Sequence, residues 1–284
     1  MLIDDIIEFC DNNYDSHHCN CEICDRVDVC KHNCKKCLDD IHYHEHKIRS
    51  DYDCNTLLDY YVCRYSQKYS SEIIYALQQV DLNKYINFDI LSLGCGGAAD
   101  LMAFDTLCGN KISSYCGLDI NNYWNNIHNE IQRLSPYTTN FYNTDVLNDL
   151  SKHIYTDYNV IIIEYLISFL YPDVGVAGIS NFFDNIIESI VSHKRNDTPM
   201  LIIINDVDSC NTGRDTFKLL VDKLTALNYT IINNKRKRFY STCHYLNSEQ
   251  YLTDANWYEI YDDFQEKYCV AKYCTSAQLI IEVE

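Results

Sequence analysis

Asp89-Ile90-Leu91-Ser92-Leu93-Gly94-Cys95-Gly96-Gly97-Ala98-Ala99-Asp100-Leu101 reads as a short buried strand, a tight turn and the opening of a helix. Glycine suits such a turn because the backbone must reach positive φ and approach a ligand with no Cβ in the way. The chain has only eight glycines, and Gly94, Gly96 and Gly97 fall within four residues, so the cluster stands out from the background.

Downstream, short apolar runs alternate with segments of helical length. The runs are Ile90 to Leu93, Tyr115 to Ile120, Asn140 to Tyr142, Val160 to Ile163, Met200 to Ile204, Tyr229 to Ile232 and Ala277 to Val283. Alternation of this kind predicts an α/β fold with a doubly wound, mostly parallel seven-stranded sheet, since parallel neighbours need a crossover of a dozen or more residues. No good amphipathic helix separates the last two runs, which predicts a terminal antiparallel hairpin.

Strand ends carry acids in order. Asp119 closes the second run, 25 residues after Gly94, where a carboxylate can accept both hydroxyls of a ribose. Asp145 closes the third, suited to the exocyclic amine of an adenine with Val146 against its face. Glu164 and Tyr165 close the fourth, and Asn205 and Asp206 the fifth. The competing reading of Asp119 and Asp145 is helix capping, a routine role for aspartate after a strand.

With these residues the chain resembles the class I S-adenosylmethionine-dependent methyltransferases over residues 88–284. The resemblance implies that Gly94, Cys95 and Gly96 lie beside the methionine part of S-adenosylmethionine, that Asp119 holds its ribose, and that Asp145 and Val146 contact its adenine. Glu164 and Tyr165 then line the methyl-transfer site, with Asn205 and Asp206 as further candidates for a base or for anchoring the acceptor. Two positions depart from the family pattern: Ser92 stands where an acid is common, and Ala98 replaces the third glycine. A nicotinamide-binding dehydrogenase shares the glycine turn, but the terminal hairpin and Asp145 favour the methyl donor. The place after the fourth strand reads Glu164-Tyr165-Leu166-Ile167, without the Pro-Pro-aromatic motif of enzymes that methylate nucleobase amines. No Pro-Cys dipeptide offers a cytosine C5 nucleophile. The expected acceptor is a small molecule or a protein; the alternative is a non-catalytic binding or regulatory protein on the same fold.

Upstream, residues 56–86 read as a helical connector or lid, with apolar positions from Leu57 to Val80 recurring at three and four. Residues 1–55 are rich in Cys and His and lack sustained apolar periodicity beyond a turn or two at Leu2 to Phe9. Such a segment needs a staple. Cys21-x-x-Cys24 and Cys34-x-x-Cys37 have zinc-chelating spacing, and Cys30, Cys34, Cys37 and His42 form an equally good set in which Cys54 can replace one member; spacing alone leaves the four ligands open.

With 41 acidic against 23 basic residues the net charge is −18, which disfavours nucleic acid as a partner. Lys235-Arg236-Lys237-Arg238 is a local exception, read either as a solubilising edge strand or as a grip on an anion. No apolar run approaches the ~18 residues of a membrane span, and the acidic N-terminus is unlike a secretory signal, so a cytoplasmic protein with reduced thiols is expected.

Overall fold

The computed structural model describes residues 1–14, 33–43, 52–153, 158–195, 197–209, 212–239 and 251–284. Its centre is a sheet of β1 (Phe88–Leu93), β2 (Ile112–Asp119), β3 (Thr138–Asn143), β4 (Val160–Glu164), β5 (Met200–Val207), β6 (Ile231–Phe239), β7 (Tyr251–Leu252) and β8 (Ser276–Val283). The spatial order is β3-β2-β1-β4-β5-β8-β6-β7, with β8 antiparallel to both neighbours and every other pairing parallel. The seven expected strands are present, with a two-residue strand added at one edge. The antiparallel finish is not a tight hairpin, because residues 240–275 intervene between β6 and β8. Strand β6 also lies further along the chain than the apolar run at Tyr229 to Ile232 suggested. It reaches through the basic run to Phe239, because near an open sheet edge alternate positions can face water.

Helices cover both faces. On one lie α1 (Leu2–Asn13), α2 (Cys34–Tyr43), α3 (Asn55–Leu77), α4 (Ala99–Cys108) and α5 (Asn125–Leu134); on the other lie α6 (Ile167–Ser189) and α7 (Gly213–Ala226). A short α8 (Asp262–Tyr268) packs through Tyr268 into the first face. Central strands are apolar on both sides, so Ile162 and Ile203 belong to the α3 side while Ile161, Ile163, Ile202 and Ile204 belong to the α6 side.

Leu2, Ile3, Ile6 and Cys10 of α1, with Leu38 and Ile41 of α2, join the same apolar cluster as Phe88 and Ile90 of β1. Packing therefore holds the described parts of residues 1–55 onto the main core. The lid segment is one 23-residue helix, α3, buried along most of its length. The stretch Ile167–His193 is long and apolar enough to cross a membrane, yet it buries Ile179, Phe182, Phe183 and Ile186 against the sheet and is broken at Gly175.

Candidate active site

The turn after β1 has the geometry its glycines predict. Gly94 and Gly96 take φ of 69° and 48°, and Ala98 follows at 56°. A glycine would meet no penalty at the last position; alanine there carries strain of roughly 1–2 kcal/mol. Backbone N–H groups of Gly94 and Cys95 donate to Leu118 O at 2.8 and 3.0 Å, fixing the turn against the end of β2. Gly96 N–H donates to Asp119 Oδ2 at 2.9 Å, and Asn121 N–H to Oδ1 at 2.8 Å. The carboxylate of Asp119 thus faces the glycine turn, and burial pushes its pKa up. From below, His128 Nε2 donates to Gly96 O at 2.7 Å while its ring stacks on Phe141 at 3.9 Å. Burial lowers the His128 pKa to about 4, so the ring is neutral. Cys95 is buried beside it, its thiol pKa raised by burial.

The turn is also roofed. A Cβ at Gly97 would stand 3.0 Å from Val62 of α3 and 3.5 Å from the Trp124 indole; one at Gly94 would stand 2.8 Å from Leu166. On the Asp119 side the surface opens, and the side chain of Ile120 is 64% exposed. Asp145 is half-buried; its Oδ1 accepts from Leu147 N–H at 2.9 Å and its Oδ2 from Asn148 Nδ2 at 2.6 Å. These bonds close a turn after β3 instead of capping a helix, since the next helical residues begin at Leu150, and each oxygen keeps a second lone pair. Val146 is buried in the cluster containing Leu93 and Leu118, so its side chain packs the core.

Past β4 and β5 the structure assembles a buried polar network on the α3 side. Asn205 Nδ2 donates to Glu164 Oε1 at 3.0 Å and to Glu72 Oε2 at 2.9 Å, while its Oδ1 accepts from Ser276 Oγ and Gln278 Nε2. Tyr165, held at φ 53°, donates its hydroxyl to Glu72 Oε2 at 2.9 Å and accepts from Lys68 Nζ at 2.9 Å. Glu72 Oε1 accepts from Thr275 N–H at 2.7 Å. Glu164 holds its proton well above the usual carboxylate range, first because of burial and then because of the negative charge of Asp100 and Glu72. Asn205 fills both donor and both acceptor positions of its amide, which makes it a positioner of Glu164. Asp206 leaves the site altogether. Its Oδ2 accepts from Ile167 and Ser168 N–H at the start of α6, and its Oδ1 accepts from Val207 N–H. Capping a helix there, not touching an acceptor, is what this buried carboxylate does, because its side chain points to the α6 face of β5.

Three residues were not singled out from the sequence. Lys68 and Glu72 sit four apart on α3, a spacing that marks a possible pair but not its place beneath Tyr165. Asp100, in the first turn of α4, is 1% exposed. Its Oδ1 accepts from Tyr115 at 3.0 Å, it interacts with Ser92, and its Oδ2 has no hydrogen-bond partner among the described residues. A carboxylate from α4 therefore stands next to Ser92, the position where the family pattern has its acid. Together Asp100, Glu164 and Glu72 bring three carboxyl groups to one buried region with one ammonium, Lys68. Such an arrangement favours a cationic ligand.

Of the expected metal ligands, Cys21, Cys24 and Cys30 lie outside the described residues. Cys34 and Cys37 are buried on α2. His42 faces tyrosine hydroxyls with both ring nitrogens, Nε2 at 2.8 Å from Tyr52 and Nδ1 at 3.3 Å from Tyr65, and burial lowers its pKa to about 4. This aromatic setting engages the nitrogens that zinc would need, so His42 is not placed as a ligand. Among the described residues no group of three His, Cys, Asp or Glu is placed to hold a metal ion.

No known family profile matches the chain, and no curated protein matches it in sequence. Solved structures do match in shape. The plantazolicin methyltransferase BpumL, solved in complex with SAH, is 14% identical with a TM-score of 0.50, covering 88% of this chain and 95% of that one. A SAM-dependent methyltransferase from Aquifex aeolicus is 10% identical (TM-score 0.46, 81% of this chain and 98% of that one). The magnesium protoporphyrin IX methyltransferase ChlM from Synechocystis PCC 6803, with bound SAM, is 12% identical (TM-score 0.42, 89% and 98%). At such identities the likeness speaks for architecture: the chain has the fold of the class I S-adenosylmethionine-dependent methyltransferases.

Proposed function

We propose that the protein is an S-adenosylmethionine-dependent methyltransferase acting on a small molecule or a protein. The observation that carries this reading is the hydrogen bond from Gly96 N–H to the Asp119 carboxylate, which joins the glycine turn to the acid at the end of β2. In this assignment the backbone of Gly94, Cys95 and Gly96 flanks the methionine part. Asp119 takes the ribose hydroxyls, and Asp145 takes the adenine amine with exposed Ile120 beside it. The buried carboxyl oxygen of Asp100 that has no hydrogen-bond partner among the described residues suits a positively charged ligand group, which supports a sulfonium amino acid over a neutral ligand. Bound S-adenosylmethionine supplies an activated methyl group. The chain's task is then to orient the acceptor and exclude water, because positioning dominates an in-line displacement. Glu164 is the candidate base once a bound cation has drawn off its proton, and Tyr165, locked between Lys68 and Glu72, is the candidate acceptor contact.

Calorimetric titration with S-adenosylmethionine tests the assignment. Saturable heat is expected, and Asp119→Ala should abolish it. Absence of heat at millimolar cofactor would favour a non-catalytic binding protein, a reading that draws support from the roof of Val62, Trp124 and Leu166 over the glycine turn. Zinc held by Cys21, Cys24, Cys30, Cys34 and Cys37, in a four-ligand subset, is proposed on thiolate spacing alone.

A further inference from the structure

The cations Lys235, Arg236, Lys237 and Arg238 occupy the end of β6. Strand alternation turns Lys235 toward α3, where its ammonium donates to Gln79 O, and turns Arg236 and Arg238 toward α7. Between β6, β8 and α7 lies a cavity of about 340 Å³, bordered by Arg214, Asp215, Lys218, Arg236, Lys237 and Arg238. Asp208, 1% exposed in its side chain, braces two of these cations: Arg214 Nη1 at 2.6 Å and Arg238 Nε and Nη2 at 2.8 and 2.7 Å. Arg214 also pairs with Asp215, and Lys218 with Asp222. Arg236 and Lys237 have no carboxylate in salt-bridge range among the described residues. Lys237 turns its side chain the other way, to the α3 face with its register partner Gln278, so four cations, Arg214, Lys218, Arg236 and Arg238, converge with three carboxylates, an excess of one positive charge inside a chain of net charge −18.

Guarding an open sheet edge would require cations pointing away from one another into water. Here they point across a shared space, which is unfavourable unless an anion enters it. Two further features suit an oxyanion. The start of the 14-residue helix α7 adds its N-terminal dipole at Gly213 and Arg214. Guanidinium forks held in place by Asp208 present bidentate donors. A phosphate monoester carries about −1.5 to −2 charge near neutral pH, enough to offset the local excess.

We infer that this cleft binds the phosphate group of a small-molecule ligand. Its place suggests which ligand. Register carries Glu164 to Asn205, Gln278 and Lys237 across three strand spacings, about 14 Å at ~4.8 Å each, so the cleft on the α7 face and Glu164 on the α3 face both reach the carboxyl edge of the sheet, over which a bound molecule would pass. The ligand is then the methyl acceptor, a phosphorylated molecule whose far end is anchored on β6 and α7. That last step rests on the proposed methyl transfer; binding of phosphate does not.

Phosphorus NMR titration of the full chain at low salt, with inorganic phosphate and pyrophosphate as probes, tests the inference. Saturable binding is expected, and an Arg236→Gln variant should weaken it about tenfold or more while its thermal midpoint and its heat with S-adenosylmethionine stay those of the wild type. No saturable binding, or equal binding by the variant, would overturn the inference. Stronger binding of a single-stranded oligonucleotide than of pyrophosphate, lost in the same variant, would overturn the small-molecule reading. Phosphate binding without any cofactor heat would remove the methyl-acceptor assignment and leave the cleft standing.

Discussion

Asp100 is the residue on which the cofactor reading can be tested most sharply. Its carboxyl group is buried with one oxygen that no described residue hydrogen-bonds, a destabilising arrangement that a ligand ammonium would relieve. Asp100→Asn should therefore weaken S-adenosylmethionine binding about tenfold or more, and leave thermal stability unchanged or raised; a calorimetric titration and a melting curve on one preparation check both. His128 gives a second test through pH. An unfolded histidine gains its proton near pH 6.5, whereas burial delays this one to about 4. The native state thus binds fewer protons than the unfolded state between those values, and its stability falls as pH drops through the window. Relative to His128→Gln, the wild type should lose on the order of 3 kcal/mol between pH 7 and pH 4, measured by denaturant titration. Buried Asp206, pushed up to about 6, acts in the opposite sense in both proteins and so cancels in that difference.

Elements differed in how far the sequence exposed them. The β1 turn was legible because a continuous apolar run entering a glycine cluster has few other solutions, and α3 because its apolar positions recur at three and four along 23 residues. Strand β6 lies further along than its apolar run suggests, since Asn233 to Arg238 is polar throughout and its pairing comes from β8, distant in sequence, and at Arg238 and Phe239 from β7. Glu72 was invisible for the same reason: nothing near it signals that Thr275 and Asn205 will meet it. Gly117, in the middle of β2, shows how tightly this layer is fitted. A Cβ there would lie 2.7 Å from the Phe141 ring and 2.8 Å from Cys95 Sγ. Gly117→Ala should cost about 1–3 kcal/mol in denaturant unfolding through overpacking, and should weaken cofactor binding too, because Cys95 belongs to the glycine turn.

Across the whole molecule, the sheet order was within reach because crossover length and the succession of strand-end acids restrict it. Composition suggests that residues 1–55 need a staple; in the described part, Ile3, Ile6, Leu38 and Ile41 join the apolar core beside the sheet. If zinc binds upstream, elemental analysis should find about one atom per chain. Its removal by chelator should alter the near-ultraviolet signal of the Cys-rich segment while the main cooperative unfolding transition survives. Loss of the whole fold on chelation would contradict the packing seen for α1 and α2.

Strand β8 sits between β5 and β6 although it follows both in the chain. On the ribosome, β6 emerges with no completed sheet to join, since its only strand neighbours, β7 and β8, are translated after it. Growth of the sheet beyond β5 must wait for that late strand to slot in. The guanidinium-lined cleft facing α7 consequently cannot be complete until β8 has paired with β6.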